Sequence, residues 1–238
     1  TSIIGKVYYC NHLMKKILVL IIVLLSSNVL AHMEHYKKYN KIEMEIFRNG
    51  ELIGYNYYFF TRKGDEITVT NQIKFSVKLL GATIFQVEGY GEEKYLNDQL
   101  ISYNSKTLQN NKEKFVNLFF DKNENKFNIK GSSYSGEASS SNVVGNWWNH
   151  KILQADSQIS PISGSIKKQV VSFVGKEIIE QNGQTYEVDH FKLNSKDMSL
   201  SKDKRLDFDI WFDKKNFMII RVSYSRMGNW EYRLKNVR

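Results

Sequence analysis

Four histidines follow residue 31, namely His32, His35, His150 and His190, with Asp189 beside the last of them and Asp207 and Asp209 two positions apart. Nucleophilic hydrolysis needs a hydroxyl or thiol activated by a positioned base. The one cysteine is Cys10, and no Gly-x-Ser-x-Gly elbow occurs. On a strand, Asp189 and His190 would point to opposite faces and cannot orient each other. Asp207 and Asp209 share a strand face and could form a carboxylate pair, but two acids on a wet face equally describe a solvated surface. No catalytic residue is assigned, no cofactor motif is found, and the chain does not read as an enzyme.

A metal reading rests on His32 and His35. Cleavage after Ala31 would free the amino group of His32, and a terminal amine with two nearby imidazoles can chelate copper. The competing reading is an unstructured start whose histidines fall near the cut by chance. A binding reading rests on aromatic residues. Trp147 and Trp148, with Asn149 beside them, follow a small polar stretch from Gly131 to Ser141, and Trp211 sits on the polar side of its strand, opposite Phe212. Tryptophan offers a broad apolar surface with a polar tip, which suits the mouth of a ligand cavity. Paired tryptophans also serve as plain core.

The segment ahead of these residues bears on which of them belong to the folded protein. Lys15 and Lys16 precede nine apolar residues from Ile17 to Leu25, and Val29-Leu30-Ala31 supplies small or modest side chains. That is the pattern of a secretory signal peptide over 14–31, too short for a membrane-spanning helix of about 20 apolar residues. Residues 1–13 are expected to be upstream read-through, 14–31 a cleaved leader, and 32–238 a single antiparallel β domain in the periplasm without a permanent membrane anchor. Losing Cys10 leaves no disulfide, although the destination is oxidising. Losing Lys6, Lys15 and Lys16 lowers Lys+Arg from 34 to 31 against 25 Asp+Glu, so the net charge falls from +9 to +6. The remaining lysines are interspersed with acids, as in Lys112-Glu113-Lys114, which argues against a nucleic-acid partner.

What must position these groups is a sheet. From Ile67 to Leu79 the odd positions are apolar except Asn71, and the even ones are polar throughout. The alternation returns in Leu206, Phe208, Ile210 and Phe212. Asn49-Gly50 and Asn182-Gly183 suit tight hairpins, and softer turns are expected at 63–65, 110–111, 121–125, 213–216 and 227–229. With 42% hydrophobic residues, a core without disulfides is feasible. The reading is a mainly β protein: one strongly curved antiparallel sheet, a half-barrel or up-and-down barrel of about 10–12 strands, with a short helix or irregular cover mid-chain around Trp147. Pro161 closes that interval, and Gly81, Gly89 and Gly91 either bend strands or end them.

Ile46-Phe47-Arg48-Asn49-Gly50-Glu51-Leu52-Ile53-Gly54, then Trp148-Asn149, then Leu206 to Asp213 and Trp230 to Leu234, resemble an uncharacterised family of exported proteobacterial proteins, a domain of unknown function. More distantly the chain is similar to periplasmic proteins whose curved sheet holds acyl chains, including the lipoprotein carriers. The resemblance implies the fold and the compartment and carries no activity. Two function classes follow. A binding module would hold a hydrophobic or lipid-like small molecule in the concave face, and an envelope interaction protein would pair an exposed strand edge with a partner protein. An apolar void of about 300 Å³ or more would separate the first from the second.

Overall fold

The computed structural model describes residues 32–238, with the side chain of His32 outside the description. The leader over 14–31 and the segment before it lie outside the described residues. A short 3₁₀ helix, His32–Tyr36, precedes fifteen strands. The first seven are β1 (Lys41–Arg48), β2 (Glu51–Lys63), β3 (Glu66–Leu79), β4 (Ala82–Leu96), β5 (Gln99–Gln109), β6 (Lys112–Asp121) and β7 (Lys126–Gly131). Three short ones follow, β8 (Ser135–Ser139), β9 (Val143–Val144) and β10 (Ser157–Ile159), with a 3₁₀ helix at His150–Leu153. The last five are β11 (Ile166–Gln181), β12 (Gln184–Ser195), β13 (Asp207–Asp213), β14 (Met218–Ser225) and β15 (Asn229–Val237).

The sheet order is β8-β7-β6-β5-β4-β3-β2-β1-β15-β14-β13-β12-β11-β10-β9. It is one large curved sheet that does not close on itself, antiparallel except where β9 and β10 run parallel. The strand count exceeds the expected 10–12. The excess lies mostly in β8, β9 and β10, five, two and three residues long, too short to show any alternation.

Turn chemistry sets the hairpins. Asn49-Gly50 (φ 51° and 82°) and Asn182-Gly183 (φ 53° and 73°) hold positive φ at both central positions, as type I′ turns require. Asn110-Asn111 does the same, and so do Asn97-Asp98, which the sequence reading passed over, and Leu80-Gly81, where a fully exposed leucine occupies a left-handed position. The inner face follows the alternation of the sequence: Val69, Phe75 and Val77 of β3 are buried, as are Met44 and Ile46 of β1 and Tyr58 and Phe60 of β2. Gly89 and Gly91 lie inside β4 rather than at its ends. A Cβ on Gly89 would stand 3.0 Å from Thr107 Oγ1, and one on Gly91 the same distance from the Tyr103 hydroxyl. Their bareness therefore admits the inward side chains of the neighbouring β5.

Candidate functional site

The concavity is divided by the mid-chain segment 142–165, which threads through it and is tied to the sheet at each step. Trp147 N–H donates to the Tyr58 hydroxyl at 3.2 Å, and the Tyr103 and Ser105 hydroxyls donate to the Pro161 carbonyl at 2.9 and 2.7 Å. Gln169 of β11 donates to the carbonyls of Ile152 and Ala155 at 2.8 and 2.9 Å. The segment so fastened ties β2 and β5 in one half of the unclosed sheet to β11 in the other.

On one side of the segment the hollow is packed solid. Trp148 is fully buried and its indole N–H donates to Glu93 Oε1 at 2.8 Å, which also accepts from Asn146 Nδ2 at 2.6 Å; the Tyr95 hydroxyl donates to Oε2 at 2.5 Å. Burial raises the Glu93 pKa, against the three hydrogen bonds that favour its anion. The 3₁₀ turn His32–Tyr36 shuts this end. The Tyr36 ring stands edge-on to Trp148 at 5.0 Å, and its hydroxyl lies 2.7 Å from His150 Nδ1 while accepting from the His150 amide at 3.1 Å. Arg62 donates to the Tyr36 and Tyr39 carbonyls, clamping the turn down. His150 is pushed down to about 4, by burial first and then by His35 and Lys151.

On the other side lies a cavity of about 570 Å³, walled by Ile73, Trp147, Leu206, Phe208, Tyr224 and Tyr232. Its polar floor includes Asn56 and Asn71, with Asn71 donating to Asn56 and Asn56 to the Tyr58 hydroxyl at 2.8 Å. Asn71 is the one polar residue on the inward parity of β3, so the break in alternation marks the cavity.

Of Trp147, Trp148, Asn149 and Trp211, the residues read from sequence as ligand contacts, the structure brings only Trp147 to this cavity, its ring edge-on to Phe208 at 5.1 Å. Trp148 belongs to the packed end. Asn149 caps the His150–Leu153 turn by accepting from the Lys151 amide at 3.0 Å, and is itself buried. Trp211 lies on the outer face, stacked on His190 at 4.6 Å, with its N–H donated to Glu177 Oε2 at 2.9 Å. There His190 also sits between Glu177 (2.6 Å) and Asp209 (3.0 Å), and Lys192 bridges Asp207 and Asp209 at 2.7 and 2.8 Å. The two aspartates do share a face, and a lysine ties them together. His35 stacks on Phe217 at 3.5 Å between ring centres. Among the described residues no group of three or more His, Cys, Asp or Glu is arranged to hold a metal ion. Sequence reasoning missed Glu93. Counting parity from Val87 to Tyr95 along β4 would have placed it inward, but Glu92-Glu93 reads as solvated charge.

The family described as Domain of unknown function (DUF6134) matches residues 44–235. The chain belongs to this family. No curated protein matches the sequence. Among solved structures, the β-barrel-like DUF1849 protein from Brucella abortus is similar at a TM-score of 0.56 and 8% identity, over 83% of this chain and 95% of that one, a likeness of fold. A protein described as exported, with a YmcC-like fold, from Bacteroides fragilis aligns over 83% of this chain and 94% of its own at 11% identity and a TM-score of 0.35. The DUF6134 match begins within β1 and ends within β15, so it spans both the packed end and the cavity of the sheet.

Proposed function

We propose that this DUF6134 protein is exported and binds a hydrophobic, lipid-like small molecule in the open half of its concave sheet, as a carrier or receptor without catalysis. The observation that carries the reading is the cavity beside Trp147. At about 570 Å³ it falls within the range of roughly 300–1,000 Å³ for ligand sites, and it combines an aromatic and aliphatic wall with a polar floor and a basic mouth. Export is supported by the leader-like pattern over 14–31. Native mass spectrometry of the protein purified from its host's envelope tests the reading. A co-purifying acyl or isoprenoid mass that disappears in Trp147→Ala supports it; a clean apo mass, with no uptake of added amphiphile, sinks it.

A second reading, an envelope interaction protein, is favoured by one feature. Beyond its three-residue pairing with β10, the edge of β11 faces no strand among the described residues, and Val170, Phe173, Val174 and Ile178 are exposed along that strand. Such an edge is suited to pairing with a partner's strand. A stable stoichiometric protein partner lost on replacing Val174 by lysine would favour this reading over the first.

A further inference from the structure

The mouth of the cavity is crowded with cations. After β12 the chain runs through residues 196–206 before entering β13, and Lys202, Lys204 and Arg205 of this connection line the cavity. Lys167 of β11 and Arg226, just past β14, join them. Three of the five are lashed to backbone: Lys167 Nζ donates to the Lys204 carbonyl at 3.3 Å, Arg226 to the Arg205 carbonyl at 3.1 Å and Arg205 Nε to the Leu200 carbonyl at 2.5 Å. Among the described residues, no ion pair joins any of the five to a carboxylate, whereas thirteen other basic residues have one. The acids nearby offset only part of this charge: Asp207 is held by Lys192 at 2.7 Å, Asp197 accepts from Ser199 and feels Arg205 at a distance, and Asp203 is bonded to Ser201 while Lys204 and Arg226 act on it without an ion pair.

Gathering like charges at the edge of a partly dry cavity is unfavourable unless something neutralises them. Lys167 registers the crowding, its pKa lowered by burial first and then by Arg226 and Lys204. Just inside the cations the surface turns greasy. Met198 and Ile162 line the cavity and are 58% and 38% exposed, and Leu206 and Phe208 continue the apolar wall inward.

We infer that the ligand is an anionic amphiphile, its carboxylate or phosphate held by Lys167, Lys204 and Arg226 at the mouth and its chain running inward along Phe208 and Trp147. This rests on the cavity-binding reading above and adds the charge class of the ligand. A guanidinium and two ammonium groups around one anion give charge-assisted hydrogen bonds, while a neutral amphiphile would leave the cations with only the partial offset of Asp203.

Three probes of equal chain length separate the contributions: dodecanoate, dodecyl phosphate and dodecanol, with inorganic phosphate as the chainless control. Binding to the full chain, purified free of lipid, is measured by isothermal titration calorimetry. The wild type should bind at least one of the two anionic probes about ten-fold or more tighter than dodecanol, and raising salt from about 0.05 to about 0.5 M should narrow that gap. The Lys167→Gln/Lys204→Gln/Arg226→Gln variant should bind all three alike, at the wild-type affinity for dodecanol. Equal wild-type affinities for anionic and neutral probes, or a preference that survives the triple substitution, would overturn the charge assignment while leaving the cavity reading standing. Failure of every amphiphile to bind defeats both. Inorganic phosphate binding as tightly as dodecyl phosphate would mean a free-anion site and would also overturn the proposal. Should the triple variant not fold, the salt dependence on wild type decides.

Discussion

Trp147 and Trp148 leave the same stretch of backbone and meet opposite surroundings. Trp148 is enclosed by Tyr36, Phe60 and Tyr95, and its one polar atom is matched to Glu93. Trp147, also buried, packs against Phe208 and Tyr232 and lines the cavity. The difference comes from what closes each end. A folded-back N-terminal turn fills the first, whereas the second is fringed by a long polar connection, 196–206, with its lysines. One half of the hollow is filled by core side chains and the other keeps a cavity.

Truncation at the two positions should break that comparison if it is wrong. Trp148→Ala removes a fully buried ring and one of the three donors to Glu93, and should cost about 4 kcal/mol in urea unfolding. Trp147→Ala should cost less, about 2 kcal/mol, because one side of its ring has little to lose. Equal costs would mean that both halves are core.

The next largest effect concerns Glu93. Glu93→Ala should cost about 3 kcal/mol by leaving three buried donors without an acceptor. Glu93→Gln, which mimics the neutral acid, should cost far less. Because the folded pKa is raised, the stability contributed by the neutral acid is fully present below the unfolded value near 4.5 and is lost as pH rises through the folded value. Glu93→Gln should therefore gain on wild type as pH rises, read from urea midpoints at several pH values. A constant difference would show that the carboxyl titrates normally.

His150 runs in the opposite direction. With its folded pKa depressed from 6.5 to about 4, stability is full above pH 6.5 and declines as pH falls through that window, since the unfolded chain takes up the proton first. His150→Gln should flatten the acid limb of the thermal midpoint against pH. The smallest effect belongs to the open end. Leu80 holds φ 50° in a hairpin turn, an unfavourable posture for a leucine, and Leu80→Asn should stabilise by about 1 kcal/mol without altering ligand affinity.

How much of this was legible follows from where the signals lie. The alternation from Ile67 to Leu79 placed β3 and its inward face correctly, down to the exceptional Asn71, because period two survives wherever one face is buried. The Asn-Gly hairpins were readable from their required φ angles. The partners of His190 were not, because Glu177 and Asp209 come from neighbouring strands whose register no local pattern reveals. Trp211 looked available for a ligand from its parity alone. Its stacking on His190 and its bond to Glu177 depend on the same unseen register. The basic mouth was equally hidden, since Lys167 and Arg226 are 59 positions apart in the chain and join Lys204 only in space.

One pairing in the sheet has a bearing on how the molecule is made. β1 lies against β15, so Ile42 meets Val237 and Arg48 meets Trp230 at the centre of the strand order. A chain that emerges from a channel N-terminus first must hold its opening strand unpaired on that side until the final hairpin arrives. Contacts of such sequence separation are slow to form, and greasy strands waiting for them are prone to stick elsewhere. Synthesis truncated before β14 and β15 should thus yield an escort-dependent, aggregation-prone product rather than a smaller working version.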